Sequence, residues 1–313
     1  MSRYRGILLV LLAVGIVWAT SLLQFFLAPT GWLYDGLVRL GGWRPAITPS
    51  VLMVEVGPGA ELSAEDWQLA LNHLQGIGAG RLVFLDPPAA SLTTLRTQAE
   101  THGNVIVGRV LEPEPDTGRR FIRDSAAEPV SAKIPVGMVS VPVPEFGVHR
   151  RAANQVLVAE RWQPSLPAVV AQTADRQTPP EDFLVNFNHG QDWIPRVSFE
   201  RLLQQGLIEE LVGGRTVLIG RGQPPGQPTI HTPVSVGRDG MSLLEYQAFA
   251  TDTLLQGRII RTTSWGINLV VLGMIGLIRA CLAMSSPYLC TAAYENPYSV
   301  RSERVTSAMI AWM

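Results

Sequence analysis

Residues 6–28 form an unbroken uncharged run, GILLVLLAVGIVWATSLLQFFLA, and a run of this length restricts what the chain can become. At about 1.5 Å of helical rise per residue it reaches roughly 34 Å, enough to cross a hydrocarbon core of about 30 Å. Arg3 and Arg5 precede it and Asp35 follows it. The positive-inside tendency therefore expects a cytoplasmic N-terminus, with the chain from residue 29 onward outside. A cleaved signal peptide is the competing reading, given the small residues around Ala28. The apolar region of such a peptide is usually about 7 to 15 residues, shorter than this one.

A second uncharged run covers residues 262–278, near the short limit for a helical span. Trp265 and Arg279 at its two ends have the aromatic and basic placement of interface anchors, whereas a buried core helix is the alternative. The expected organisation is a cytoplasmic tip and transmembrane helix over 1–28 and an extracytoplasmic domain over 29–261. A second transmembrane helix follows over 262–284, then a tail over 285–313 expected to be the truncated start of something longer. This places the chain in an inner membrane with its main domain periplasmic. The formal net charge is −1 with scattered Lys and Arg, so nucleic acid is not an expected partner. Both cysteines, Cys281 and Cys290, lie beyond the middle, which therefore contains no disulfide.

Between the runs, short β-branched stretches alternate with segments of helical period, the pattern of βαβ units. The fold class expected is α/β, a mostly parallel sheet with flanking helices in one extracytoplasmic domain bracketed by transmembrane helices. Strands are expected at 51–56, 81–86, 104–110, 182–187 and 215–220. Helices are expected from the Ser63 and Asp66 capping box, over 92–102, around 166–173 and from Ser198. Residues 112–128, rich in Pro, Asp, Glu and Arg, read as an exposed excursion. Strands at 134–141 and 153–159 read as an antiparallel edge. The last helix, 242–256, reads as amphipathic, with Gly257 in the C′ position.

Metal-protease, redox, esterase and P-loop motifs are absent, which lowers the expectation of catalysis. The five histidines are never spaced i, i+4, so neither a metal nor any other cofactor is expected. Gly57-Pro58-Gly59 lacks the third glycine of a dinucleotide fingerprint and reads as a tight turn. Asp86 ends an expected parallel strand, at the edge where open α/β sheets collect ligands; a carboxylate capping the loop before Pro87 is the plainer alternative. Asn186 and Asn188, with His189 and Trp193, end another such strand and offer hydrogen bonds and an aromatic face, although turn chemistry also explains the asparagines. Glu245 in the first turn of the last helix is a further ligand candidate, or simply a carboxylate favoured by the helix dipole.

Four segments together resemble a known family. RLVFLD (81–86), FLVNFN (183–188) with VSFERLL (197–203), GGRTVLIG (213–220) and HTPVSVGRDGMSLLEYQAFATDTLLQG (231–257) are similar, in order and spacing, to the CHASE type 2 extracellular sensor domain of cyclases and histidine kinases. The chain departs from the family before the first helix, where Ser63 to Trp67 replaces a Trp-Pro-rich segment, and around Glu245, where Leu243 and Gln247 stand in place of Gly and His. Relatives commonly continue into further membrane helices and a cytoplasmic output domain, which 313 residues do not include. The resemblance implies a sensory module that takes an unidentified small-molecule ligand and relays its presence through helices in the lipid bilayer, as a homodimer or with a partner signalling protein. A membrane-anchored hydrolase with an unrecognised carboxylate site, Asp86 with Glu245, is the alternative, as is an uncoupled remnant of a longer signalling protein.

Overall fold

The computed structural model describes residues 15, 34–36, 38, 48–85, 87, 92–113, 120–122, 134–158, 160–187, 189–205, 209–223, 229–235 and 240–260. Residues 28–261 form one compact unit. Its core is a sheet of six parallel strands: β1 (Val51–Val56), β2 (Arg81–Phe84), β3 (Val105–Pro113), β5 (Val136–Val139), β10 (Arg196–Ser198) and β11 (Thr216–Arg221), in spatial order β10, β1, β11, β2, β3, β5. The fold is α/β as the alternating pattern implies.

Side chains alternate across the sheet, and both faces are covered, which is why the strands read as continuous apolar runs. Val51 and Met53 of β1 enter one core with Val83, Ile106 and Leu218. Leu52, Val54 and Val56 enter the other with Leu82, Phe84 and Val217. On this second face lie α1 (Ala64–Gly76), α2 (Leu92–His102) and α4 (Phe199–Gln205), with the short α5 (Glu209–Val212) before β11. On the first face lie α3 (Leu166–Thr173), over β3 and β5, and α6 (Leu243–Leu255), over β1 and β11. Ser165 caps α3, and its helix approaches so closely that a Cβ on Gly137 would sit 2.5 Å from Leu166 Cα. Glycine is required there by space rather than by backbone angle.

Several expectations are corrected. Within the expected excursion of 112–128, β3 continues to Pro113 and pairs antiparallel with β4 (Arg120–Ile122), so this part extends the sheet. The expected antiparallel edge of 134–141 with 153–159 does not form: β5 adds to β3 in parallel, and β7 (Gln155–Val158) pairs with β8 (Arg161–Pro164) as a separate hairpin. The expected strand 182–187 is not part of the main sheet. Only β9 (Phe183–Leu184) is extended in a ladder, a short antiparallel one with β6 (Arg151–Ala152). Its continuation is diverted because Val185 N donates to Arg150 O at 2.9 Å and Asn186 N to Thr253 Oγ1 at 2.9 Å, so no sheet neighbour is needed.

The last helix, α6, is not amphipathic. Every residue from Leu244 to Leu255 is buried, because the sheet covers one side while α3 and the β6–β9 ladder cover others. Gly257 does follow it with φ +65°, the left-handed angle expected of C′ glycine. Among the described residues no helix is long and apolar enough to cross a membrane. Apart from Gly15, both uncharged runs lie outside the described residues, so the two expected membrane helices have no support from the structure.

Candidate functional site

The sheet has two edges, and polar side chains gather at each. At the carboxyl edge β1 is followed by Gly57, whose carbonyl accepts from Ala60 N at 3.1 Å and so turns the chain after the strand. Ser63 then starts α1: its hydroxyl accepts from Asp66 N at 3.2 Å and its own N–H donates to Asp66 Oδ2 at 2.9 Å. Hydrogen bonds from the Ser63 backbone and side chain hold the Asp66 carboxyl below its usual range. This reciprocal cap fixes where the first turn of α1 begins, and with it Trp67. That indole is 3% exposed and sits against Phe199 at 4.7 Å between centroids and Phe84 at 5.8 Å.

Between Trp67 and the strand ends is a cavity of about 230 Å³. Val56, Leu62, Phe84 and Ile219 form its apolar walls with Trp67, and Glu61 and Arg221, both exposed, bring one charge of each sign. The buried Trp67 Nε1 has no hydrogen-bond partner among the described residues. A buried indole N–H usually finds one, and leaving it unmet carries a desolvation cost.

On the opposite face of the same edge, Glu55, Arg196 and Glu245 form a charged row. Arg196 Nη2 lies 3.2 Å from Glu245 Oε2, and Nη1 lies 3.6 Å from Glu55 Oε2. Glu55 packs so closely on Gly222 that a Cβ there would be 2.2 Å from Oε1. Glu245 is buried in the first turn of α6, whose N-cap Ser242 accepts from Glu245 N at 3.1 Å. Helix dipole and guanidinium both stabilise its negative charge. One guanidinium thus serves two carboxylates, and nothing in the row is arranged as a nucleophile with a base.

Trp193 and Asn186 lie at the other edge, about two turns along α6 from Glu245. There Asp252 Oδ1 accepts from Ser50 N at 2.7 Å, while Oδ2 accepts from Gln256 Nε2 at 2.8 Å and Trp193 Nε1 at 3.2 Å. Burial pushes the Asp252 carboxyl above its ordinary value, more than these hydrogen bonds lower it. His189 stacks on Trp193 with centroids 3.9 Å apart and planes 16° apart. Trp193 thus spends both its N–H and one ring face on neighbours. The residues expected to share a ligand edge are therefore split: Glu245 is at the carboxyl edge, Asn186 and Trp193 are at the amino edge, and Asp86 is outside the described residues.

Sequence reasoning missed Trp67, Glu55, Arg196 and Asp252. Trp67 carried a usable signal, an aromatic four residues after a capping serine at the end of a βα turn. Asp252 carried none, because an acid inside a helical pattern reads as solvent-facing. Among the described residues no group of three or more His, Cys, Asp and Glu side chains could hold a metal ion.

Compared with known proteins, the chain matches one family model, the CHASE2 domain, over residues 8–281. No curated protein and no solved structure matches significantly.

Proposed function

This chain belongs to the CHASE2 domain family, a family of sensory domains, and we propose that it is a membrane-anchored extracytoplasmic sensor. In this reading it binds a small-molecule signal and relays it through the two uncharged runs, with the bilayer and either a second copy or a signalling protein as partners. The observation that carries the reading is the extent of the family match. It begins inside the first uncharged run and ends after the second, so both runs and the α/β domain belong to one unit of inheritance.

The geometry of α6 supports a relay. Its first turn lies at the carboxyl edge, where open α/β sheets take ligands, and its last turn lies at the edge from which the chain leaves. Ile260, bridged to Leu184, is two residues before the second run. A buried helix that touches both edges can carry a packing change between discrete arrangements from one to the other. The hydrolase alternative rests on Asp86 with Glu245, of which Asp86 lies outside the described residues and Glu245 is paired with Arg196.

Alkaline phosphatase fused after residue 120 is expected to be active, and fused after residue 300 inactive. An inactive fusion at 120 sinks the extracytoplasmic placement. An active fusion at 300 removes the second span and the relay with it.

A further inference from the structure

We propose that His149 is a proton-binding site through which the domain senses acidity, the charged ring parting the 141–150 segment from the first turns of α6. This deepens the sensory reading by naming the class of signal, and rests on it. The ring lies edge-on against Tyr246 of α6, with centroids 6.2 Å apart and planes 74° apart. It also sits at a junction. Its backbone N–H donates to His231 O at 2.7 Å, and the adjoining Ile230 exchanges two backbone hydrogen bonds of 2.9 Å with Met241, the residue before the Ser242 cap of α6. On the other side, Arg150 holds Asp35. One imidazole thus touches the helix while its neighbours hold both the start of α6 and the segment around residue 35.

The hydrogen bonding of the ring decides where a proton goes. The Pro142 carbonyl hydrogen-bonds the ring, and Nδ1 is buried without a partner among the described residues. A carbonyl only accepts, so the neutral ring carries its hydrogen on Nε2 and a bare lone pair on Nδ1. The second proton must take Nδ1, where it becomes a buried donor on a cation with no acceptor in reach. A proton needs no cavity to arrive there: the half-buried ring has only to turn outward to meet water.

The surroundings oppose the charge. Burial holds the ring below the usual histidine value of 6.5, more than the Pro142 bond raises it, and the facing His231 adds to the lowering. On the ring's own segment Glu145 lies 3.0 Å from Arg151, and Arg150 is paired with Asp35. From α6, Glu245 is paired with Arg196, and Tyr246, kept neutral by burial, donates to Arg151 O. Asp182, exposed before β9, bears on Tyr246. Since the packed ring resists charging while an opened one titrates near 6.5, the closed arrangement is fully favoured above that value and loses ground as pH falls below it. When the ring leaves Tyr246, the change passes through His231 and Ile230 to Met241 and the cap of α6.

The test uses the full chain in lipid nanodiscs, with ring-labelled histidine followed by NMR and amide exchange of α6 corrected for the intrinsic rate. His149 is expected to titrate below 6.5, and amides in the first turns of α6 to lose protection about tenfold or more between about pH 7.5 and about pH 5. His149→Gln, which keeps a donor for Pro142 O and cannot take the proton, should abolish that loss. His231→Gln, at an exposed position, should move both the titration and the exchange response to higher pH, and it carries the test if His149→Gln does not fold. Titration of His149 at or above 6.5, protection of α6 indifferent to acid, a response that survives His149→Gln, or one unmoved by His231→Gln overturns the assignment. None of these outcomes bears on the phosphatase fusions, and an inactive fusion at residue 120 would strike the sensory reading while leaving a titrating His149 in place.

Discussion

Asp35 and Arg150 meet as a buried two-pronged ion pair, Nε to Oδ1 at 2.8 Å and Nη2 to Oδ2 at 2.7 Å, although 115 residues separate them. Arg150 Nη1 also donates to Glu145 O at 2.7 Å, and the neighbouring Tyr34 hydroxyl donates to Val185 O at 2.5 Å. The segment that follows the first uncharged run is thereby clamped to the β6–β9 ladder. Bridging Ile260 to Leu184 brings the departing chain to the same ladder. The segments around Tyr34 and Ile260, at the two ends of the domain, thus share one anchor point.

Breaking this pair from one side leaves an uncompensated buried charge, a costlier state than losing both members. Asp35→Asn is expected to destabilise the full chain by about 3 to 5 kcal/mol in chemical denaturation, whereas Asp35→Leu with Arg150→Met should recover most of that loss. A loss under about 1 kcal/mol for Asp35→Asn would mean that water reaches the guanidinium.

Gly137→Ala should cost about 1 to 3 kcal/mol by overpacking, since its Cβ would meet the Leu166 backbone at 2.5 Å and 2.9 Å rather than a side chain that can turn away. By contrast, Gly36→Ala meets nothing within 4 Å and should be neutral or better. Equal melting temperatures for wild type and Gly137→Ala would show that α3 can lift from β5 freely.

Asp252 makes stability depend on pH with a definite sign. Burial raises its folded pKa above the ordinary 3.8, so the folded state keeps this proton to higher pH than the unfolded chain does. The stability that this proton contributes is greatest below 3.8 and falls as pH rises through the raised folded value. Asp252→Asn removes the titration. The melting-temperature difference, wild type minus Asp252→Asn, should therefore shrink as pH increases from the acid side, and a difference that grows with pH would reverse the assignment.

Legibility in the sequence followed the range of the interactions. β1, β11, α1 and α3 were readable because their apolar periods, and the cap at Ser63, are local. β9 was misread because its residues have strand composition while their hydrogen bonds go to Arg150 and Thr253, more than 30 residues away in the chain. The burial of α6 on every side was hidden for a related reason. Gln247, Asp252 and Thr253 look solvent-facing until their hydrogen bonds to Ser140, Ser50 and Asn186 are seen. Glu245 was readable as a first-turn carboxylate because that is a local signal.

Whether α6 acts as a bar between the two edges can be measured. Leu244 packs at its first turn and Leu255 at its last, both buried, about 16 Å apart along the helix. Truncating either to Ala should cost about 2 to 5 kcal/mol if the surroundings relax as in other cores. Sites this far apart usually add within about 0.5 kcal/mol, because each cavity relaxes locally. A helix that shifts as one body lets the gap at one end be partly filled by movement that opens or closes the other, so the double variant should depart from the sum by more than about 0.5 kcal/mol. The control is Leu244→Ala with Leu95→Ala, since Leu95 lies in the core on the other sheet face; this pair should add. Additivity in both pairs would mean that the first turn of α6 can rearrange without the last one responding, and the helix would lose its place in the relay.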